Sequence, residues 1–105
     1  MLEGLKVVEL ATYIAAPGAG GIMADWGAEV VKIEPPRGDP MRQFFETLGA
    51  EQDSNPIFEL DNRGKRGVVL DITRPAARAL SLEALLMPTA TAASRIAGAT
   101  VSAAK

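Results

Sequence analysis

Short β-branched runs in the first third of the chain are separated by a glycine-rich stretch and a helical pattern. Lys6–Leu10 and Glu29–Ile33 are typical of strands buried on both faces, and Gly21–Trp26 has apolar residues at helical spacing. The stretch Ala11–Gly21 contains a proline and three glycines, so we expect a tight turn there. A strand, a helix and a second strand predict a βαβ unit with parallel strands.

The pattern repeats after an irregular middle section. Val68–Ile72 predicts a third buried strand, and Thr73 is the expected N-cap of a helix with Pro75 in its first turn. Three residues are the expected apolar anchors of a short helix in the middle section: Phe44, Phe45 and Leu48. The predicted fold class is α/β with a mainly parallel sheet.

Ligands of open α/β sheets lie beyond the carboxyl ends of the strands, which are Ala11–Pro17 and Glu34–Asp39 here. The first of these segments is rich in small residues. Such residues let a ligand lie against the backbone or let a helix pack closely on the sheet, and both interpretations stay open. Arg37 and Arg42 follow the second strand, either as phosphate ligands or as solvated surface residues.

The stretch Gly18–Met23 is a partial match to the dinucleotide fingerprint G-x-G-x-x-G. Met23 stands at the third position, where close packing needs a small residue, and Glu34 comes early for a ribose ligand. The match therefore disfavours a nicotinamide or flavin site, although a fragment of a dinucleotide oxidoreductase remains as a third hypothesis.

A basic turn, residues 61–67, precedes the third strand. It combines Arg63, Lys65 and Arg66 with two glycines, a pattern that suits phosphate binding. A solvated charged loop at the start of a strand is the alternative, and it is the commoner use of such a run.

The amino-acid composition excludes several kinds of functional site. The 105-residue chain has a net charge of −2 and contains neither cysteine nor histidine. Disulfides, thiolate metal sites and histidine-based triads are excluded, and no metal site and no nucleic-acid partner are predicted. No apolar run approaches the ~20 residues that span a bilayer, and the first residues do not form a signal peptide, so we expect a cytoplasmic protein.

Several sequence blocks, taken in order, resemble the opening of CoA-transferase family III. This family includes formyl-CoA and carnitinyl-CoA transferases and α-methylacyl-CoA racemase. The blocks are Leu5–Ala11, Ala16–Pro17, Ala24–Pro36, Gly38–Pro40, Asn62–Arg66 and Val69–Asp71. The resemblance covers residues 2 to 80.

The resemblance implies a Rossmann-like N-terminal part of the family fold, incomplete in this chain, with coenzyme A or acyl-CoA as substrate and no tightly bound cofactor. Family members are typically interlocked homodimers. The transferases pass CoA from an acyl-CoA to a carboxylic acid through a nucleophilic aspartate, whereas the racemases move the α-proton of the acyl group. That aspartate lies beyond position 105 in the family, so no catalytic residue is assigned here.

The family's CoA contacts map onto three sets of residues. Some members have a basic residue directly after Glu34, where this chain has Pro35, so Arg37 or Arg42 would replace it. The resemblance implies that the loop carrying the CoA and acyl contacts consists of Tyr13, Ile14, Ala15 and Ala16, and that the CoA phosphates are held by Arg63, Lys65 and Arg66.

The resemblance divides the chain into a family segment, residues 1–80, and a divergent Ala/Ser/Thr-rich tail, residues 81–105. The tail has few large apolar side chains, and we expect it to form no fourth core strand. A truncated or frame-shifted transferase that keeps part of the CoA site is the leading interpretation. The alternatives are a non-catalytic CoA- or nucleotide-binding module that needs a partner chain, and a relative of the racemases.

Overall fold

A computed structural model describes residues 1–50, 53–86 and 101–103. In this part the order of strands in the sheet is β1-β2-β3-β4, with β1 to β3 parallel and β4 antiparallel to β3. The elements are β1 (Lys6–Glu9), α1 (Ala15–Asp25), β2 (Glu29–Glu34), a 3-10 helix (Pro40–Gln43), α2 (Phe44–Thr47), α3 (Pro56–Asn62), β3 (Arg66–Val69), α4 (Pro75–Leu86) and β4 (Val101–Ala103). The predicted α/β class with a mainly parallel sheet is confirmed.

The first two predicted strands form and pair as parallel neighbours, in a register that runs from Lys6 opposite Glu29 to Glu9 opposite Lys32. The third strand begins two residues earlier than expected, at Arg66. Its ladder continues past the strand, because the Leu70 N–H donates to the Glu34 carbonyl at 2.9 Å.

The glycine-rich stretch is helical, and the tight turn expected over Ala11–Gly21 is therefore wrong. Helix α1 begins at Ala15 and includes Pro17 in its first turn, where no N–H is needed inside the helix. Its buried residues are Pro17, Gly20 and Gly21. Because these side chains are so small, the helix approaches the sheet and α3 closely, and this packing offsets the low helix propensity of glycine.

Apolar and charged side chains alternate along β2, so one face of the sheet is apolar and the other is charged. Val31 and Ile33 face one side, where they pack with the buried Ala77 of α4 in an apolar cluster. Lys32 and Glu34 face the other side, towards α1, and both are buried. The hydrophobic core thus lies under α4, and a layer of charged side chains lies on the opposite face.

Helix α4 lies on the face opposite α1 and contacts β1. Helices thus cover both faces of the described sheet. Ligands of open α/β sheets bind beyond the carboxyl ends of the strands, which are followed here by the loops after β1, β2 and β3.

Two local expectations are wrong. Helix α4 starts at Pro75, and the Thr73 hydroxyl donates to Asp71 Oδ1 at 2.6 Å, so Thr73 does not cap the helix. Leu48 is 65 % exposed and anchors nothing within the described residues, whereas Phe44 and Phe45 are half-buried and contact each other edge to face.

The tail contributes a fourth strand to the sheet, so the expectation that it forms no such strand is wrong. Val101–Ala103 pairs with β3 from Val68 to Arg66 and extends the sheet at that edge. Helix α4 runs to Leu86, beyond the predicted boundary at residue 80. Residues 87–100, 104 and 105 lie outside the described residues, and the division into two segments stays a prediction.

Neither a membrane span nor a metal site is found in the part of the chain that the structure describes. None of its helices is both long and apolar enough to cross a bilayer. It also has no group of three or more histidine, cysteine, aspartate or glutamate side chains arranged to hold a metal ion.

Candidate functional site

An apolar cavity of about 250 Å³ opens at the carboxyl ends of β1, β2 and β3. The segment that leaves β1 forms one side of it, and the chain after β3 forms another. Its lining residues are Leu10, Ala11, Thr12, Ile33, Pro35, Leu70 and Ile72. A surface of this kind suits an apolar or flat part of a ligand, with polar contacts supplied from its rim.

The loop after β1 projects its side chains outward beside this cavity. Tyr13 is 51 % exposed and has a φ of +66°, in the left-handed region that residues other than glycine rarely adopt. Ile14 is 53 % exposed, and Ala15 and Ala16 are exposed at the start of α1. All four residues predicted to face CoA are thus on the surface and adjacent.

Asp39, in the loop after β2, connects the two loops. Its Oδ1 accepts hydrogen bonds from the Tyr13 N–H at 3.2 Å and the Met41 N–H at 2.9 Å. Its Oδ2 lies 2.9 Å from Lys32 Nζ, and its own N–H donates to Glu34 at 2.8 Å. Asp39 is 1 % exposed, so one buried carboxylate fixes the relative position of both loops.

The two arginines of the second loop are placed differently. Arg42 donates to Glu34 from Nε at 2.9 Å and from Nη2 at 2.7 Å, and its guanidinium lies 4.0 Å from the centroid of Phe58. Arg37 is exposed, and its side chain has no hydrogen bond or ion pair within the described residues. The Arg42 guanidinium is thus engaged by Glu34 and Phe58, whereas the Arg37 guanidinium makes no such contact within the described residues.

Lys65 lies at the centre of the charged layer rather than on the surface. Its Nζ donates to Glu9 Oε2 at 2.7 Å, Pro17 O at 2.7 Å and Asn62 Oδ1 at 3.0 Å. These three bonds use all three ammonium protons, and the side chain has no exposed area. Burial lowers the pKa of Lys65, and its bond to Glu9 opposes that shift.

The other two cations of the basic turn lie apart from the Tyr13 loop. Arg63 donates from Nε to Asp25 Oδ2 at 2.9 Å, which ties the turn to the end of α1. Arg66 is exposed at the amino end of β3, in the row that contains Val31. The structure brings Tyr13–Ala16 together with the loop of Arg37, and it does not bring the basic turn to the same edge.

Two glycines of the partial dinucleotide fingerprint make room for the protein's own charged groups. A Cβ on Gly20 would lie 2.1 Å from Glu9 Oε2 and 3.0 Å from Lys65 Nζ. A Cβ on Gly21 would lie 2.8 Å from the Asp61 carbonyl. Both residues are inside a helix, so they form no phosphate-binding loop.

The charged layer was missed by the sequence interpretation, which assigned no role to Glu9, Lys32 or Asp39. Glu9 lies opposite Lys32 in the parallel register and accepts from its Nζ at 2.9 Å. A usable signal was present, because Lys32 and Glu34 interrupt a β-branched strand at alternate positions and so share a face. Charges on a covered face of a sheet need buried partners.

Two carboxyl groups in this layer have lowered pKa values. Burial alone would raise the pKa of Glu34, but the bonds from Arg42 and from the Asp39 N–H outweigh it. Burial would likewise raise the pKa of Asp39, but Lys32 and the Met41 and Tyr13 N–H groups lower this pKa by more. Both groups are therefore more acidic in the folded chain than in the unfolded chain.

We expect acid to destabilise the fold through these groups. Their contribution is complete above about pH 5 and is lost as the pH falls through the ordinary values of 4.5 and 3.8 to the lower folded values. The midpoint of urea unfolding should thus fall steadily from pH 5 to pH 3. Glu34→Gln should flatten this dependence, and Glu59→Gln, at an exposed position, should leave it unchanged. Equal slopes in all three proteins would contradict the assignment.

Comparison with known proteins identifies a family. The model of CoA-transferase family III matches residues 2–87. The chain is 50 % identical over 74 residues to (R)-2-hydroxy-4-methylpentanoate CoA-transferase of Clostridioides difficile, a match that covers 69 % of this chain and 18 % of the relative. It is 47 % identical over 74 residues to cinnamoyl-CoA:phenyllactate CoA-transferase of Clostridium sporogenes, with the same coverage of 69 % and 18 %.

Comparison with solved structures leads to the same family. A CAIB/BAIF family protein from Brucella suis superposes with a TM-score of 0.65 at 40 % identity, over 75 % of this chain and 21 % of that one. This chain spans about a fifth of the length of the curated relatives that it matches. The matched region contains β1 to α4, including both loops of the candidate site.

Proposed function

The chain belongs to CoA-transferase family III, and we propose that its described residues form one wall of an acyl-CoA binding site at the carboxyl ends of β1 and β2. The observation that carries this proposal is the link between the two loops through Asp39. It fixes Tyr13, the neighbour of the cavity-lining Thr12, at the carboxyl ends of the strands. A site made by two loops that a buried carboxylate holds together is largely formed before the ligand arrives.

The proposed contacts follow from the exposed chemistry of each loop. The Tyr13 ring and the exposed side chains of Ile14, Ala15 and Ala16 provide the apolar surface for the adenine, pantetheine or acyl part of the ligand. Arg37 provides a guanidinium for a CoA phosphate, because its donors are not used inside the described part of the protein. Arg42 supports this loop through Glu34.

Phosphate contacts by the basic turn remain a prediction of the family resemblance. Arg66 is exposed and able to make one without rearrangement. Arg63 would have to leave Asp25, and Lys65 would have to leave Glu9 and two further acceptors. We therefore rank Arg37 first among the basic residues.

For the reaction we propose CoA transfer between an acyl-CoA and a carboxylic acid, as the names of the two relatives describe for those enzymes. In the family the nucleophilic aspartate belongs to a part of the chain beyond this sequence. We therefore expect the 105-residue polypeptide to bind CoA without transferring it. A homodimer and a cytoplasmic location stay predictions.

A binding module that acts with a partner chain is the second candidate. Large apolar side chains remain exposed on the outer side of the helices that cover the charged layer. They are Ile22 on α1, Trp26 directly after α1 and Leu60 on α3, with exposed fractions of 46 %, 49 % and 61 %. Side chains of this size favour association with another surface.

Calorimetric titration of the 105-residue chain with CoA and NAD tests the CoA site. We expect binding of CoA and at least about tenfold weaker binding of NAD. Arg37→Ala should weaken CoA binding by about tenfold, since a charged contact to phosphate is worth roughly 1.5–3 kcal/mol. Stability in urea should not change, because the Arg37 side chain has no bonded partner within the described residues.

Arg66→Ala is the matched variant, because it removes an equally exposed arginine from the basic turn. We expect less than about twofold loss of CoA affinity for it. A larger loss for Arg66→Ala than for Arg37→Ala would move the phosphates to the basic turn. Preference for NAD, or transfer by the mass-verified 105-residue chain, would overturn the proposal.

A further inference from the structure

We propose that Asp39 is the positioning residue of the acyl-CoA site: it holds Tyr13 in its left-handed conformation and thereby presents the Tyr13 ring to the ligand. This inference rests on the proposed function for the identity of the ligand. It goes beyond it by assigning a role to a buried residue that would touch neither the ligand nor any reacting atom.

Tyr13 has an unfavourable backbone conformation. A φ of +66° is unfavourable for a residue with a Cβ, and such a conformation persists only where surrounding contacts impose it. The ring is half exposed, so packing of the side chain does not impose it. The described contact on the Tyr13 backbone is its N–H bond to Asp39 Oδ1.

The carboxylate that accepts this bond, Asp39, is rigidly held. Asp39 has no rotational freedom to follow a moving loop, since its Oδ1 also caps the 3-10 helix at Met41 and its Oδ2 lies against Lys32. Its backbone is held in turn by Glu34. Tyr13 is thus bonded to a residue that three further contacts hold in place, two of them with β2.

Loss of the bond between Tyr13 and Asp39 is expected to weaken ligand binding. Without this bond the loop is free to relax to ordinary backbone conformations, in which the Tyr13 ring points elsewhere. The measured dissociation constant then rises by the inverse of the fraction that remains competent. The cost of a left-handed residue corresponds to a loss of about tenfold in that fraction.

A double-mutant cycle of Asp39→Ala and Tyr13→Gly, with CoA affinity as the measurement, tests this role. Asp39→Ala removes the carboxylate oxygen that accepts the Tyr13 N–H, and we expect it to weaken CoA binding by about tenfold in the Tyr13 background. Glycine adopts the left-handed conformation without cost and has no ring to present. In the Tyr13→Gly background the same change should therefore cost less than about twofold.

A structural role alone predicts an equal loss in both backgrounds, and that result would overturn the proposal. Amide hydrogen exchange of the unliganded wild-type chain is the second measurement, and it does not depend on the folding of any variant. We expect the Tyr13 N–H to be protected before CoA is added. Protection that arises only with CoA would also overturn the proposal.

The two proposals fail in different ways. If the wild-type chain binds no CoA, the proposed function fails, whereas a protected Tyr13 amide still supports the link to Asp39. If CoA binds and the Tyr13 amide exchanges freely, the positioning role fails and the proposed function stands.

Discussion

Lys32→Met is expected to destabilise the chain by about 3–5 kcal/mol, enough to unfold much of a small domain at pH 7. Lys32 has no exposed side-chain area and lies 2.9 Å from both Glu9 Oε1 and Asp39 Oδ2. Methionine has a similar length and fits the space, but it leaves the Asp39 carboxylate buried without a cation. Urea unfolding followed by circular dichroism measures the loss.

Arg66→Met is the matched control, because it also replaces a basic side chain with methionine in a strand, but at an exposed position. We expect a change within about 0.5 kcal/mol for this surface site. Similar losses for the two variants would show that the burial of Lys32 does not determine its contribution to stability.

The pH dependence of Lys32→Met distinguishes charge from packing. Burial raises the pKa of Asp39, and Lys32 is among the groups that reverse this effect. Without Lys32 the Asp39 carboxyl takes up a proton at higher pH, which removes the unpaired charge. The stability deficit of the variant should therefore be largest at pH 7 and shrink towards pH 4. A deficit independent of pH would mean that lost packing is the cause.

Gly20→Ala is the second large effect, with an expected loss of about 3 kcal/mol. The added Cβ would lie 2.1 Å from Glu9 Oε2, which is bonded to Lys65 and has no free space to enter. Either α1 moves away from the sheet or the buried ion pair breaks. Thermal and urea unfolding measure the change.

Gly18→Ala, two residues earlier in the same helix, is its control. Here the added Cβ would meet Asp61 Oδ1 at 3.4 Å, an ordinary contact. Alanine also has the higher helix propensity, so we expect a neutral effect or a gain of up to about 1 kcal/mol. If both substitutions are neutral, α1 does not depend on close contact with the charged layer.

An effect of Gly20→Ala on ligand binding alone would change the interpretation of this glycine. If Gly20→Ala leaves stability unchanged and abolishes ligand binding, this glycine faces a ligand rather than Glu9. The partial dinucleotide fingerprint would then regain its functional interpretation.

Local patterns in the sequence were sufficient for the strands and for the family. The runs Lys6–Leu10 and Glu29–Ile33 predicted β1, β2 and their parallel pairing, because β-branched side chains on both faces fit a covered parallel sheet. The ordered blocks around them indicated CoA-transferase family III, and the family match over residues 2–87 confirmed it. The exposed loop Tyr13–Ala16 follows the carboxyl end of β1 as expected, and its role in ligand binding stays a prediction.

Local patterns failed where a residue's role depends on what lies across the chain. The glycines of α1 looked like a turn because their helical state depends on Glu9 and Asp61, which are remote in sequence. Lys65 looked like a surface cation because Glu9, 56 residues away, is its partner. Burial of a charge is a property of the packed sheet, so no local window reports it.

The sequence by itself thus determined the βαβ unit and the family, and the placement of the site at the carboxyl ends of the strands stays a prediction. Tertiary structure alone decided which basic residues remain available to a ligand, that α1 packs against charges, and that Asp39 joins the two loops. The physical reason is that propensity and periodicity act over a few residues. Ion pairing and desolvation depend on distances between residues such as Tyr13 and Asp39, which only the fold brings together.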